Sequence, residues 1–440
     1  MRNGKILPLL VRLSVPAMIG MIVNAIYNIV DRMFIGNAPQ LGSTGLAAVS
    51  VSYPITLLIM AVGLGAGVGG STRFSIALGQ RDEEAAKYYQ GNALMMGVCF
   101  GIFIMVFGEL FATPLLTLLG ASEIVLPYAR KYLSIVLLGA VFQCVSLCGN
   151  NFSRAQGNAK NAMISQLLGA CFNIIFDYIF IYIVGLGMEG AALATIGGQC
   201  LSMFWQLAFL FGKRNLIQCR FSHMKLRKHY AIAIAKTGIP AFLLQIANSV
   251  LSSVLNIFCG IYGGDVAIST TGVLTSIQTL MLLPLTGMSQ GQQPLISYNY
   301  GAKLYDRLRQ ILKYTTVGAT IIALCLWAAV QLFPTVIISM FNQEPEIIEL
   351  GTYALRTWFM CYPVVGAQMM CANFFQAIGK IQKSSFLNLL RQIVLLIPLI
   401  MIMSYIFGLN GIFMACPIAD VSALLITLYF FKREMNGLVE

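Results

Sequence analysis

Apolar runs of about 20 residues or more, each long enough to cross a bilayer, alternate with short polar breaks along this chain. They predict helices at 9–35, 46–77, 89–111, 124–154, 162–184, 190–211, 231–262, 266–298, 308–338, 347–377, 386–406 and 411–431. One segment interrupts the rhythm, the polar and basic stretch 213–230. Only helices and closed barrels satisfy their own backbones in lipid, and runs of this length are helical. The pattern therefore predicts an all-α integral membrane protein with twelve transmembrane helices.

Composition agrees. Of 440 residues, 58% are hydrophobic and 10% charged, against about 25% charged in an ordinary soluble protein. Residues 1–5 are basic, but the apolar run that follows is too long for a cleaved signal and is expected to stay as the first span. A net charge of +12 raises nucleic acid as a partner, and its distribution removes it. With the N-terminus in the cytoplasm, every lysine and arginine falls on the inner side except Arg32, Arg130, Lys131 and Arg356. That asymmetry predicts both termini inside, in the inner (plasma) membrane of a bacterial cell. The eleven cysteines lie almost all inside apolar segments and form no CxxC pair, and Cys144 and Cys148 have no nearby histidine partners, so they read as small apolar residues rather than metal ligands or disulfides.

The chain also repeats. Pro16, Asn24 and Gly36 recur as Pro240, Asn248 and Gly260, and Asn151, Phe152 and Gly157 recur as Asn373, Phe374 and Gly379. Six helices per half is an even number, so both halves enter the membrane in the same sense. The expected architecture is two six-helix lobes related by a pseudo-two-fold axis along the membrane normal. Residues 1–212 form the N-terminal lobe, 213–230 a cytoplasmic bridge and 231–440 the C-terminal lobe. Two lobes around a cleft suit a transporter that works as a monomer.

Gly65-Ala-Gly67-Val-Gly69-Gly70 fits a dinucleotide-binding pattern but has no strand before it, and reads instead as close helix contacts. No Walker lysine motif is present. No histidine lies in a span and no nucleophile–base pair is visible, so an enzyme is not expected. Two acids do lie within spans, Asp31 and Asp177, where a charge costs roughly 2.5–3.5 kcal/mol on insertion scales. Asn173 stands four residues before Asp177, on the same helical face. The repeat places Leu255, Leu395, Leu399 and Cys416 opposite Asp31, Asn173, Asp177 and Thr195. The second half thus packs without carboxylates, and the acids of the first half read as a coupling-ion site. Two neighbouring carboxylates in a low dielectric do not both ionise freely, so the pair can carry a proton; with Asn173 and Thr195 the same oxygens can hold Na⁺. No other cofactor is expected. Tyr27, Asn28, Gln143, Asn248, Gln278 and Met281 lie within spans and are candidates to line a substrate cleft, each with an ordinary interhelical contact as the alternative.

Val30-Asp31-x-x-Phe34-Ile-Gly36, Ser153-Arg154-x-x-Gly157-Asn158 and Gln290-Gly291-x-Gln293-Pro294-x-x-x-Tyr298-Asn299-Tyr300-Gly301-Ala302 resemble signatures of the multidrug and toxic compound extrusion (MATE) transporters, over essentially the whole chain. The balance resembles their DinF-like and MepA-like bacterial branch. That resemblance implies a multidrug antiporter driven by H⁺ or Na⁺, exporting small organic, mainly cationic drugs by alternating access. It also implies a cation site at Asp31, Asp177, Asn173 and Thr195, and a bend in the first helix near Pro16, which otherwise reads as a simple kink. Asp420 resembles a recurrent feature of the last helix in the MepA-like branch and is expected to be structural. The alternative from the same superfamily is a flippase for lipids or lipid-linked oligosaccharides.

Overall fold

Every predicted apolar run is helical, and where helices stop differs from expectation for local reasons. The computed structural model describes residues 4–38, 41–212, 215–341 and 344–437. Arg2, Lys213 and Arg214 of the basic count, the start of the 213–230 bridge and the outermost residues of both lobes lie outside that set. Helix α1 spans Ile6–Asn37, α2 Gly42–Gly79 and α3 Glu83–Leu118. Helix α4 consists of Leu126–Leu138 and Ala140–Ala155, bent by 49°. Helix α5 (Ala159–Ile183) loosens into a π-helix over Tyr178–Ile183, and α6 covers Met188–Phe211. In the second half, α7 is Lys228–Gly264, α8 Val266–Gly301 and α9 Tyr305–Leu332. Helix α10 is broken into Pro345–Trp358 and Tyr362–Ala377. Helix α11 occupies residues 381–407 and α12 residues 409–436, divided at Gly408 with φ 58°. Twelve crossings in two six-helix lobes result, with no strand among the described residues.

The departures trace to proline and glycine. The expected run 308–338 ends at Leu332, because Phe333 leaves the helical region ahead of Pro334, which opens a short separate helix, Pro334–Ser339. The run 347–377 breaks just before Pro363, which starts its second piece. The run 124–154 bends at Gly139, whose missing side chain lets Ile196 of α6 approach. The bridge is docked rather than loose. The 3₁₀ turn Phe221–Met224 lies on α3, where Asn92 donates to the His223 carbonyl at 3.2 Å and accepts from the Arg227 amide at 2.8 Å. Arg227 also donates to the Tyr88 hydroxyl at 2.7 Å.

Each lobe has its own apolar core. Ile59, Tyr132, Leu133 and Met188 belong to one in the N-terminal lobe; Leu251, Leu285, Trp358 and Phe413 belong to one in the C-terminal lobe. Helix α1 is shared. Ahead of Pro16 its Ile6, Leu10 and Leu13 pack with Leu295, Phe374 and Phe375 of the C-terminal lobe; beyond it, Gly20 abuts Gln166 of α5 and Ile35 joins the N-terminal core. The helix runs unbroken through the proline. Beyond Pro16 the helix touches both lobes, since Met18 still meets Gly287 and Met21 still meets Gln290 of α8.

The lobes meet at the end of the molecule that carries the termini. Arg73 on α2 donates to Thr237 on α7 at 2.8 Å, and Gln293 on α8 donates to Thr72 at 2.7 Å. A Cβ on Gly69 would strike the Ile234 carbonyl and the Gly238 backbone, and one on Gly291 would strike Ser14. Such small residues let helix backbones close in without a hydrophobic driving force. At the opposite end, no side-chain hydrogen bond joins the lobes among the described residues.

Candidate cation site and substrate pocket

Asp31 lies six residues before the end of α1, and Asp177 at the last α-helical turn of α5 before its π segment. Both are buried, with 8% and 0% of their surfaces exposed. Their carboxyl groups face each other closely enough for one, once protonated, to hydrogen-bond the other. One turn earlier on α5, Asn173 donates to Thr195 Oγ1 of α6 at 3.4 Å, and Thr195 donates to the Ala191 carbonyl at 3.0 Å. The structure therefore brings together all four residues expected at the cation site, from three helices.

Their hydrogen bonding is incomplete. Both oxygens of Asp177, Oδ1 of Asp31 and Oδ1 of Asn173 are buried without a partner. Buried acceptors are normally paired, because leaving one bare costs on the order of 1–3 kcal/mol. Oxygen atoms converging with unspent lone pairs satisfy what a proton or a hard cation such as Na⁺ requires, and Thr195 Oγ1 has a further lone pair to offer. The four residues fit either ion. In the C-terminal lobe the equivalent positions are apolar and filled: Leu255 and Cys416 are buried in its core, with Leu395 and Leu399 packed against it. At these four positions one lobe is closed with leucine and cysteine and the other is polar, while the C-terminal lobe buries its own carboxylate, Asp420, against Arg391.

Beside the carboxylates opens a pocket of about 100 Å³, lined by Asn24, Tyr27, Gln143, Asn150, Gln166, Asn173, Thr195, Gln199 and Ser202 among others. Asn173 and Thr195 belong to both features, so the cation site and the pocket share a wall. Of the expected cleft residues, Tyr27 and Gln143 line this pocket. Asn28 is exposed and donates to the Asn24 carbonyl at 2.7 Å, leaving Asn24 on the pocket wall. Asn248 lies in the other lobe, accepting from Gln392 at 2.7 Å. Gln278 is half-buried on α8, and Met281 is 4% exposed in the C-terminal core, its flexible thioether filling space among leucines.

The sequence reading missed Asn24, Asn150, Gln166, Gln199 and Ser202. A signal existed. Gln143, Ser146 and Asn150 on α4, Gln166 and Asn173 on α5, and Thr195, Gln199 and Ser202 on α6 recur at three, four or seven residues within apolar spans. Each set is one polar stripe on a helix, and three stripes in one lobe predict a shared cavity.

The MatE family model matches residues 16–179 and 240–402, once in each half. The multidrug export protein MepA of Staphylococcus haemolyticus is 28% identical over 437 residues, covering 99% of this chain and 95% of its own. An FAD transporter of Shewanella oneidensis is 26% identical over 429 residues, covering 96% of this chain and 94% of its own. Among solved structures, the outward-facing conformation of a multidrug resistance MATE family transporter of the MOP superfamily superposes with a TM-score of 0.93 at 27% identity, over 99% of this chain and 97% of that one.

Proposed function

This chain belongs to the MatE family of membrane transporters, and on that premise we propose that it is a cation-coupled antiporter exporting small organic compounds, mainly cationic drugs. The observation that carries the proposal is the buried carboxylate pair Asp31–Asp177 with its unpartnered oxygens, beside a polar pocket of the N-terminal lobe whose wall includes Asn173 and Thr195. A proton or Na⁺ entering satisfies those oxygens; a cationic substrate in the pocket is favoured when they are charged. Because both states draw on the same negative charge, the ion and the drug compete, which is the linkage that antiport needs. The MepA relative, a multidrug export protein, supports the substrate class.

In this reading the termini lie in the cytoplasm, which the distribution of lysine and arginine supports, and the bacterial MepA relatives support a bacterial cell membrane. The lobes are then closed toward the cytoplasm and the structure is outward-facing. Residues 1–212 form the lobe that couples and 231–440 the lobe that moves against it, joined by the bridge 213–230. Pro16, in the stretch of α1 that touches both lobes, is the hinge of that motion. The alternating-access cycle runs from ion entry at Asp31 and Asp177, through parting of the Gly69–Gly238 contact, to drug loading from inside.

The test is drug accumulation in cells that lack other exporters. Cells expressing the native chain keep ethidium out. Asp31→Asn and Asp177→Asn, each made at native protein level, restore ethidium accumulation to that of empty-vector cells. Undiminished exclusion in both variants would refute the assignment.

A further inference from the structure

A second polar recess lies between the lobes, at the end that carries the termini, well away from the carboxylate pair. It is a cavity of about 10 Å³, lined by Ser71 and Ser75 of α2, Asn151 and Arg154 of α4, and Gln290 and Gln293 of α8. Arg154 is only 4% exposed, yet it makes a single hydrogen bond, from Nη2 to Asn151 Oδ1 at 3.2 Å. No carboxylate stands within ion-pairing range of it among the described residues. A guanidinium carries five N–H donors, and a buried arginine almost always has a counter-charge. Its place in the last turn of α4 supplies only the partial negative end of the helix dipole, equivalent to roughly half a charge.

The other walls are also unspent. Ser75 Oγ, on a residue 1% exposed, has no hydrogen-bond partner, and neither has Gln290 Oε1. The amide nitrogen of Gln290 reaches only Met21 Sδ at 4.0 Å. Gln293 and Ser71 are engaged, with Thr72 at 2.7 Å and with the Val68 carbonyl at 3.2 Å. What remains facing the recess is a full positive charge, a free hydroxyl and a carboxamide. The recess has room for one small ion or water and is far too small for a drug.

We propose that this recess binds a single halide-sized anion, chloride under physiological conditions, held by the Arg154 guanidinium and the Ser75 hydroxyl and closed over by Gln290. Because α2 and α4 supply one wall and α8 the other, the anion is enclosed only while the lobes meet at this end. Chloride then favours the closed arrangement by its binding free energy, and parting of the lobes releases it. That consequence rests on the alternating-access reading; the site does not.

Bromide, which mimics chloride and scatters anomalously, tests the site on the full-length protein. Crystals grown in sodium bromide show an anomalous peak between Arg154 and Ser75. In detergent, replacing gluconate by chloride at constant ionic strength raises Tm by on the order of 2 °C, as binding linkage predicts. The rise disappears in Arg154→Gln and shrinks in Ser75→Ala, which removes one donor and keeps the charge. An empty or water-filled recess in bromide, or equal melting in chloride and gluconate, overturns the proposal. Either result leaves the drug-export assay at Asp31 and Asp177 untouched, so the two readings fail separately.

Discussion

At the scale of the residue, four buried oxygens on three side chains, Asp31, Asn173 and Asp177, lack partners among the described residues. Asp31 and Asp177 are costly where they stand, and nothing in the lobe offsets them. Replacing one by a hydrocarbon of similar size therefore stabilises the fold while removing the function. Asp31→Leu is expected to raise the stability of the purified protein by on the order of 2 kcal/mol, read as a higher Tm, and to abolish export. The reciprocal change separates the lobes. Leu255→Asp buries a carboxylate in a filled core and costs about 3 kcal/mol, seen as a lower Tm and less folded protein. If both substitutions moved Tm in the same direction, the contrast between a polar and a packed lobe would be wrong.

At the scale of the element, the helices were legible from hydropathy alone, and their interruptions were not. Pro334 and Pro363 announce breaks to a reader who weighs proline above hydropathy, whereas a window average runs through them. The bend at Gly139 comes from contact with Ile196, a residue far along the chain that no local pattern reveals. That Asp31, Asn173, Asp177 and Thr195 stand out together was legible because the repeat exposes them as exceptions to Leu255, Leu395, Leu399 and Cys416. The pocket was less so, because amides inside a span read one at a time look like ordinary helix contacts.

Helix pairing also decides two outcomes. In the C-terminal lobe Arg391 donates to Asp420 Oδ1 at 2.6 Å, joining α11 to α12 with both side chains nearly buried. Asp420→Ala strands the arginine and is expected to cost about 3–5 kcal/mol, whereas the double change Arg391→Met, Asp420→Leu is near neutral. Thermal unfolding of the two variants checks this, and equal losses would mean that the pair is not the source. Between the lobes, Gly238→Val places methyl groups against Gly65 and keeps α2 and α7 apart. Export is lost, and a cysteine introduced at Ser71 in a cysteine-free background becomes accessible to alkylation from the terminus-bearing side. A Gly238→Val protein that exports normally would show that this contact is not needed for closure.

At the scale of the whole molecule, the duplication gives two lobes of one topology, and divergence has given them different interiors. The N-terminal lobe holds the acids and the amide-lined pocket; the C-terminal lobe packs the same positions with leucine and cysteine. Side-chain hydrogen bonds between the lobes gather at one end, the geometry that the proposed rocking motion needs. Helix α1 carries Asp31 and packs with both lobes. The central claim is that this motion is driven by an ion bound at the two carboxylates. Inverted membrane vesicles holding the native chain, Asp31→Asn or Asp177→Asn, energised separately by a pH or a sodium gradient, measure it directly through ethidium transport. The account predicts uptake driven by one of the two gradients in the native chain and by neither in both variants. Gradient-driven uptake in Asp31→Asn and Asp177→Asn at the native rate would contradict it.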